Sequence, residues 1–290
     1  MCKKSYLPAP FESFEKTKSE RRKIQNTLRG LPRNIVQRID FPSHCHKRSR
    51  CLSGLCTTCN RNYRRSFLQF ARDEKLADLK WYFVTVIVRG WDIPLGDYTP
   101  FGDLRDHPVI QRILQRFRRT AKAGLLVFGS IENVYKTVDG VPVGKAFHLH
   151  MMVSGLSKKT IKECLGIPEV LSAPSDRPVL IRSVRRETKD AVRRETRDFV
   201  KSASYAIKQP FFEERRSSTS SRKFRRFPTK LALGELLSNY GSHPVGARAF
   251  FIGFRCDQGH FSLTTNVKSV IARKLARRAG RSNKTHRKTK

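Results

Sequence analysis

Apolar positions along this chain recur in two periods, and the change from one to the other outlines a series of strands and helices. Trp81-Tyr82-Phe83-Val84-Thr85-Val86-Ile87-Val88 is an unbroken run of aromatic and β-branched residues and opens the first strand. Residues 125–134 and 145–153 read as two more strands, with Asp139-Gly140 marking the hairpin turn between them. Residues 178–184 read as a short fourth strand. Where the period lengthens, helices are expected. Val109, Ile110, Ile113, Leu114, Phe117 and Ala121 form one stripe behind Pro108, with arginines opposite, and Gly124 ends that helix. Ser157 caps a short helix over 157–165. Residues 189–208 form a longer one, with Val192, Phe199, Val200, Ala203 and Ile207 inward. Upstream, Tyr63, Phe67 and Phe70 space a helix over 60–79, and a shorter one is expected around 16–29.

The remaining segments read as connections. Residues 89–103 are a Gly/Pro/Asp loop. Residues 213–226 are charged and serine-rich and read as a flexible basic loop. Residues 248–264 suggest a hairpin around Gln258-Gly259. From Val267 a basic helix leads into a tail, 281–290, without apolar residues and expected to be disordered. Strands joined by a hairpin and by crossovers predict an α+β sandwich built on an antiparallel sheet. No internal repeat and no Walker-type glycine loop is present.

Charge narrows the partner. Lys and Arg number 60 against 24 Asp and Glu, a formal charge of +36 over 290 residues. Such a surplus repels itself unless a polyanion screens it, so DNA or RNA is the expected partner, with affinity falling steeply as salt rises. No apolar run approaches the roughly 18 residues that span a bilayer, and the first residues lack the apolar segment of a secretory signal. The expected location is cytoplasmic. Four of the seven cysteines, Cys45, Cys51, Cys56 and Cys59, lie together at spacing C-x5-C-x4-C-x2-C. That pattern suits a structural zinc site, with His44 or His46 as substitute ligands, better than a disulfide framework. Cys2, Cys164 and Cys256 read as free thiols.

Two further groups carry chemistry. In Phe147-His148-Leu149-His150-Met151, a period of two puts both imidazoles on one side of a strand. Phe147, Leu149, Met151 and Val153 face the other side, toward helices. Two imidazoles are half of a site for Mn, Mg, Zn or a similar ion, and Glu132 on the preceding strand is the candidate third ligand. On the helix that follows, Lys201, Tyr205 and Lys208 share one edge, away from the apolar stripe. Tyr205 is a candidate nucleophile toward phosphorus, with Lys208 holding the phosphate or assisting the tyrosine. Either group taken alone is also compatible with ordinary packing.

Taken in order, Phe83-Val84-Thr85-Val86, Phe147-His148-Leu149-His150-Met151 and Tyr205-Ala206-Ile207-Lys208 resemble the three motifs of rolling-circle replication initiators of small plasmids and phages, members of the HUH endonuclease superfamily. Gly129-x-x-Glu132 resembles the strand that supplies an acidic ligand there. The resemblance covers roughly residues 80–210. It implies an HUH endonuclease-like five-stranded antiparallel sheet packed with helices, here with an N-terminal Cys/His zinc-binding extension. The implied layout is a basic arm with the cysteine cluster and a helix (1–79), a nicking and joining domain (80–265), and a basic helix and tail (266–290). It also implies a nick in one strand of origin DNA, a 5′-phosphotyrosine on Tyr205, a free 3′-OH primer and later rejoining. Mg2+ or Mn2+ would be held by His148, His150 and Glu132. Implied partners are single-stranded and origin DNA, a host helicase and polymerase, and a second subunit on DNA. The chain departs from relatives with two tyrosines, having one in the third motif. A transposase or relaxase of the same superfamily, and a non-catalytic zinc-containing nucleic-acid-binding protein, are the competing readings.

Overall fold

In a computed structural model, residues 13–42, 44–46, 49–98, 107–120, 124–166, 179–184, 192–207, 211–241, 243–257 and 259–273 are described. Lys208 and the tail beyond 273 lie outside them. The fold is α+β, built on one mixed sheet. Its strands are β1 (Trp81–Ile93), β2 (Leu126–Val138), β3 (Val141–Ser154), β4 (Val179–Ser183), β5 (Phe211–Ser217), β6 (Ser220–Arg226) and β7 (Ala249–Ile252). A separate hairpin, β8 (Phe254–Asp257) with β9 (His260–Leu263), packs beside it.

The sheet corrects the expectation of five antiparallel strands. Among the described residues it has seven, in the order β4-β1-β3-β2-β5-β6, with β7 also paired to β2. Two strands share one edge of β2. β7 runs antiparallel along Val127–Ser130, and β5 runs parallel along Asn133–Val138. The path β4-β1-β3-β2-β7 is antiparallel throughout, and the β2–β5 pair makes the sheet mixed. Residues 213–226, read as a loop, form the β5–β6 hairpin instead. Their charges hide the strand signal, because Glu213 and Glu214 are buried. Glu213 accepts hydrogen bonds from Thr137, the Thr229 backbone N–H and Arg215. β1 also runs on into the segment read as a loop, as far as Ile93.

Helices pack on both faces of the sheet. One face presents Val84, Val86, Val127, Ile131, Leu149 and Met151 to α4 (Pro108–Thr120) and α5 (Lys158–Leu165). α4 turns in Ile110, Ile113, Leu114 and Phe117, as its stripe predicts, and Ser157 caps α5 by accepting from the Thr160 N–H. The opposite face presents Trp81, Leu126, Phe128 and Met152 to α3 (Thr57–Asp73) and α6 (Val192–Ala206). From α6, Phe199, Val200, Ala203 and Ala206 enter that core. Outside both layers, α1 (Phe14–Arg29), α2 (Arg33–Val36) and the turn between them bury Ile24, Leu28, Leu31 and Ile35 against α7 (Lys230–Tyr240). α7 has no polar face to give it away in the sequence, since every residue from Ala232 to Tyr240 is buried. Among the described residues no helix is long and apolar enough to cross a membrane.

Candidate active site

β3 is a central strand, and both of its neighbours contribute to the site. Thr85 on β1 and Ser130 on β2 flank His150, while Ile87 and Glu132 flank His148. All of these share one parity of the pleat, so their side chains face the α6 side together. Glu132 lies directly across from His148 and diagonally from His150, within reach of both. Its Oε2 is 2.8 Å from His150 Nε2. One ligand atom each from Glu132, His148 and His150 lies within 4.8 Å of the other two. All three residues are buried.

α6 lays Tyr205 over this group. Its hydroxyl donates to Glu132 Oε2 at 3.4 Å, and its ring meets the His150 ring edge-on at 4.9 Å between centroids. Phe83 stacks on His150 and meets the Tyr205 ring edge-on. The helix is pinned there, because Ser130 Oγ donates to the Ala206 carbonyl at 2.7 Å in a buried bond. Of the sequence-predicted site residues, Glu132, His148, His150 and Tyr205 therefore meet at one place. Lys208 lies outside the described residues. Thr85, Ser130 and Phe83 are additions. Phe83 and Thr85 lie in the first of the quoted motifs, but only the strand register shows that their side chains point at His150.

The donor set suits a divalent cation. His148 Nε2 is buried without a hydrogen-bond partner, and as a lone pair it is of the kind a bound cation satisfies. Burial holds the His148 pKa down to about 4, only partly opposed by the charge of Glu132. His148 is therefore neutral near pH 7, as a metal ligand must be. In the metal-free protein this has a signed consequence. Unfolded His148 takes up a proton below about pH 6.5, and folded His148 does so only near 4, so stability is present above 6.5 and lost as pH falls toward 4. Urea unfolding should show a loss of up to about 3 kcal/mol over that window, absent in His148→Gln. Equal slopes in both proteins would refute the assignment.

Thr85 completes the arrangement. Its Oγ1 is 3.0 Å from His150 Nδ1. With Nε2 protonated toward Glu132, the threonine donates to Nδ1. With Nε2 free for an ion, Nδ1–H donates to the threonine. Such a partner fixes the ligand tautomer, so Thr85→Val should weaken Mn2+ binding roughly 10- to 100-fold, read by calorimetry.

Comparison of the chain with family models, curated proteins and solved structures finds no match. What the site does must therefore be argued from its own geometry.

A second group that could hold a metal ion lies at the start of α3. Cys56 is its N-cap and Cys59 sits in its first turn, while Cys45 and Cys51 come from the preceding loop. Their four Sγ atoms lie within 4.8 Å of one another, and Cys59 is 3.6 Å from both Cys45 and Cys51. Zn–S bonds of about 2.3 Å in a tetrahedron set sulfurs roughly 3.8 Å apart, so the cluster is sized for zinc. It is not sized for a disulfide, and all four thiols are free. The Cys59 thiol stabilises the Cys56 thiolate and pulls its pKa down to about 5. Burial pushes Cys51 up to about 11, a charge cost that a cation would remove. His44 and His46 stack on each other and are not part of the four-sulfur group.

Proposed function

We propose that this chain is a metal-dependent single-strand DNA endonuclease and strand transferase that initiates rolling-circle replication. The observation that carries this reading is the Tyr205 hydroxyl, directed at the carboxylate of a buried Glu-His-His ligand set. Glu132, His148 and His150 would hold Mg2+ or Mn2+, which when bound polarises a phosphodiester and offsets its developing charge. Glu132 accepts the phenol hydrogen bond and so orients the oxygen for attack. Tyr205 Oη forms a bond to phosphorus, and the P–O3′ bond breaks. The phenol proton goes to solvent or a nearby base, and the released O3′ takes up one proton. One phosphodiester is exchanged for another, so the 5′-phosphotyrosine keeps the bond energy and a 3′-OH can reverse the step. The +36 charge supplies non-specific attraction to the strand.

The test is incubation with labelled single-stranded DNA from its own replicon, with Mn2+ or Mg2+ present and with EDTA as control. A protein–DNA adduct that survives denaturant, is lost with EDTA and is absent from Tyr205→Phe is expected. Tight binding without an adduct on either strand would leave a nucleic-acid-binding protein without catalysis.

A further inference from the structure

A cleft of about 300 Å³ opens beside Tyr205, between α6 and the β4 edge of the sheet. Its wall on α6 is one helical face, formed by Asp198, Lys201, Ser202 and Tyr205 at spacings of three and four. Its floor is Phe83, and Arg182 stands directly across from Phe83 on β4. Ser183 and Val184 complete the lining. The volume is at the small end of the range for ligand pockets and suits a single planar ring system rather than a folded segment.

The chemistry of the lining is mixed in an informative way. Phe83 offers an aromatic face beside the nucleophile. Arg182 and Lys201 add two cations to the lining, as a backbone phosphate requires. Asp198 does not fit a site that only holds phosphate. In a protein of charge +36, a carboxylate placed there repels the very ligand the rest of the surface attracts. No ion pair joins Asp198 to Arg182 or Lys201 among the described residues. A carboxylate in a nucleic-acid site is explained when it accepts hydrogen bonds from a base, as Asp and Glu do from the exocyclic amino group of cytosine. Adenine and guanine carry such amino groups too. Thymine carries none, and its one N–H lies between two carbonyls that a carboxylate repels.

We infer that this cleft takes one unstacked nucleobase next to the scissile phosphate, stacks it by Phe83, and uses Asp198 to select an amino-bearing base over thymine. The inference rests on the proposed nicking reaction and gives that site its sequence preference at one position. Single-stranded recognition by aromatic stacking with a few hydrogen bonds to the base edge has the right form. Asp198 is exposed and Phe83 half-buried, so both are open to a ligand without rearrangement of the fold.

Two measurements test it. In the first, replicon oligonucleotides carry each of the four bases in turn at the two positions flanking the mapped nick, and adduct formation is timed with Mn2+. At one position thymine should react more slowly by roughly tenfold or more, the discrimination one good base contact gives. Asp198→Asn, whose amide can donate to a thymine carbonyl, should lose that preference, and Asp198→Ala should flatten it. Equal rates for all four bases, or a preference unchanged in both variants, overturns the inference while the nicking reaction stands. In the second, Tyr205→Phe binds fluorescent dC10 and dT10 without cleavage, and the affinity ratio is compared with that of Tyr205→Phe/Asp198→Asn. The ratio should shift toward dT10 in the double variant, and an unchanged ratio overturns the inference. The second result holds whether or not any adduct forms, so failure of the chemistry and failure of the base pocket are told apart.

Discussion

Cys59→Ser is expected to abolish zinc binding by the four-cysteine group and to lower stability by about 4 kcal/mol or more, roughly 7 °C in melting temperature for a chain of this size. The size of the effect follows from what the cysteine loop ties together. Arg21 of α1 donates to the Pro42 and Cys45 carbonyls, and Thr57 donates to the Thr17 carbonyl. From the other side, Gly54 N–H donates to the His243 carbonyl and Val245 N–H to the Leu52 carbonyl. The loop thus joins α1, the start of α3 and the segment after α7. Its own apolar content is small, with Leu55 the main buried side chain. Without an ion, four thiols would crowd one another with their charge unresolved. Elemental analysis should give one zinc per chain for the unaltered protein and none for Cys59→Ser, and limited proteolysis should open the segment 44–60. Protein isolated without zinc, with the variant melting at the same temperature, would refute the site.

The second large effect separates holding an ion from using it. Tyr205→Phe should lose adduct formation by three orders of magnitude or more, because the proposed reaction takes its attacking oxygen from that hydroxyl. The same variant should bind Mn2+ as the unaltered protein does, since its hydroxyl touches Glu132 without being one of the three ligands. Glu132→Gln should lose both, with Mn2+ affinity falling more than about 100-fold, the larger end of what even an indirect ligand contact costs. Mn2+ titration followed by calorimetry, run beside the adduct assay, reads the two quantities separately. A Tyr205→Phe protein that still forms the adduct would move the nucleophile elsewhere.

Much of this arrangement was legible in the chain. The period-two alternation of Phe147 to Val153 correctly divides an apolar face from a histidine face, and the helical stripe through Phe199 and Ala203 correctly leaves Tyr205 on another side. The pairing of Glu132 with the histidines was not legible in the turn. A plain two-residue hairpin closed at Asp139-Gly140 would set Glu132 across from Phe147, on the wrong face of the sheet. The strands do begin in that register, with Val138 across from Val141 and Thr137 across from Pro142. A one-residue shift between Thr137 and Lys136 then brings Lys136 opposite Gly144 and Glu132 opposite His148. Gly144, at φ 149°, adopts a backbone conformation that few other residues tolerate. A bulge of this kind inverts the parity of everything beyond it, and no periodicity count foresees it. The β5–β6 hairpin and α7 escaped for opposite reasons. One is too charged to resemble a strand, and the other is buried all round and so has no stripe.

The buried bond from Ser130 to the Ala206 carbonyl has a meaning for the product as well as for the attack. It fastens the backbone one residue beyond Tyr205 to the same strand that carries Glu132. Under the proposed chemistry, a DNA end joined to Tyr205 is not carried off on a swinging arm. It stays docked where the bond was broken, over the same carboxylate and imidazoles. Resealing then requires only the return of a 3′ hydroxyl, with no search by the enzyme for its own intermediate. A chain with one tyrosine in this position is thereby built as a clamp that keeps the broken strand in its care until an end arrives to be joined.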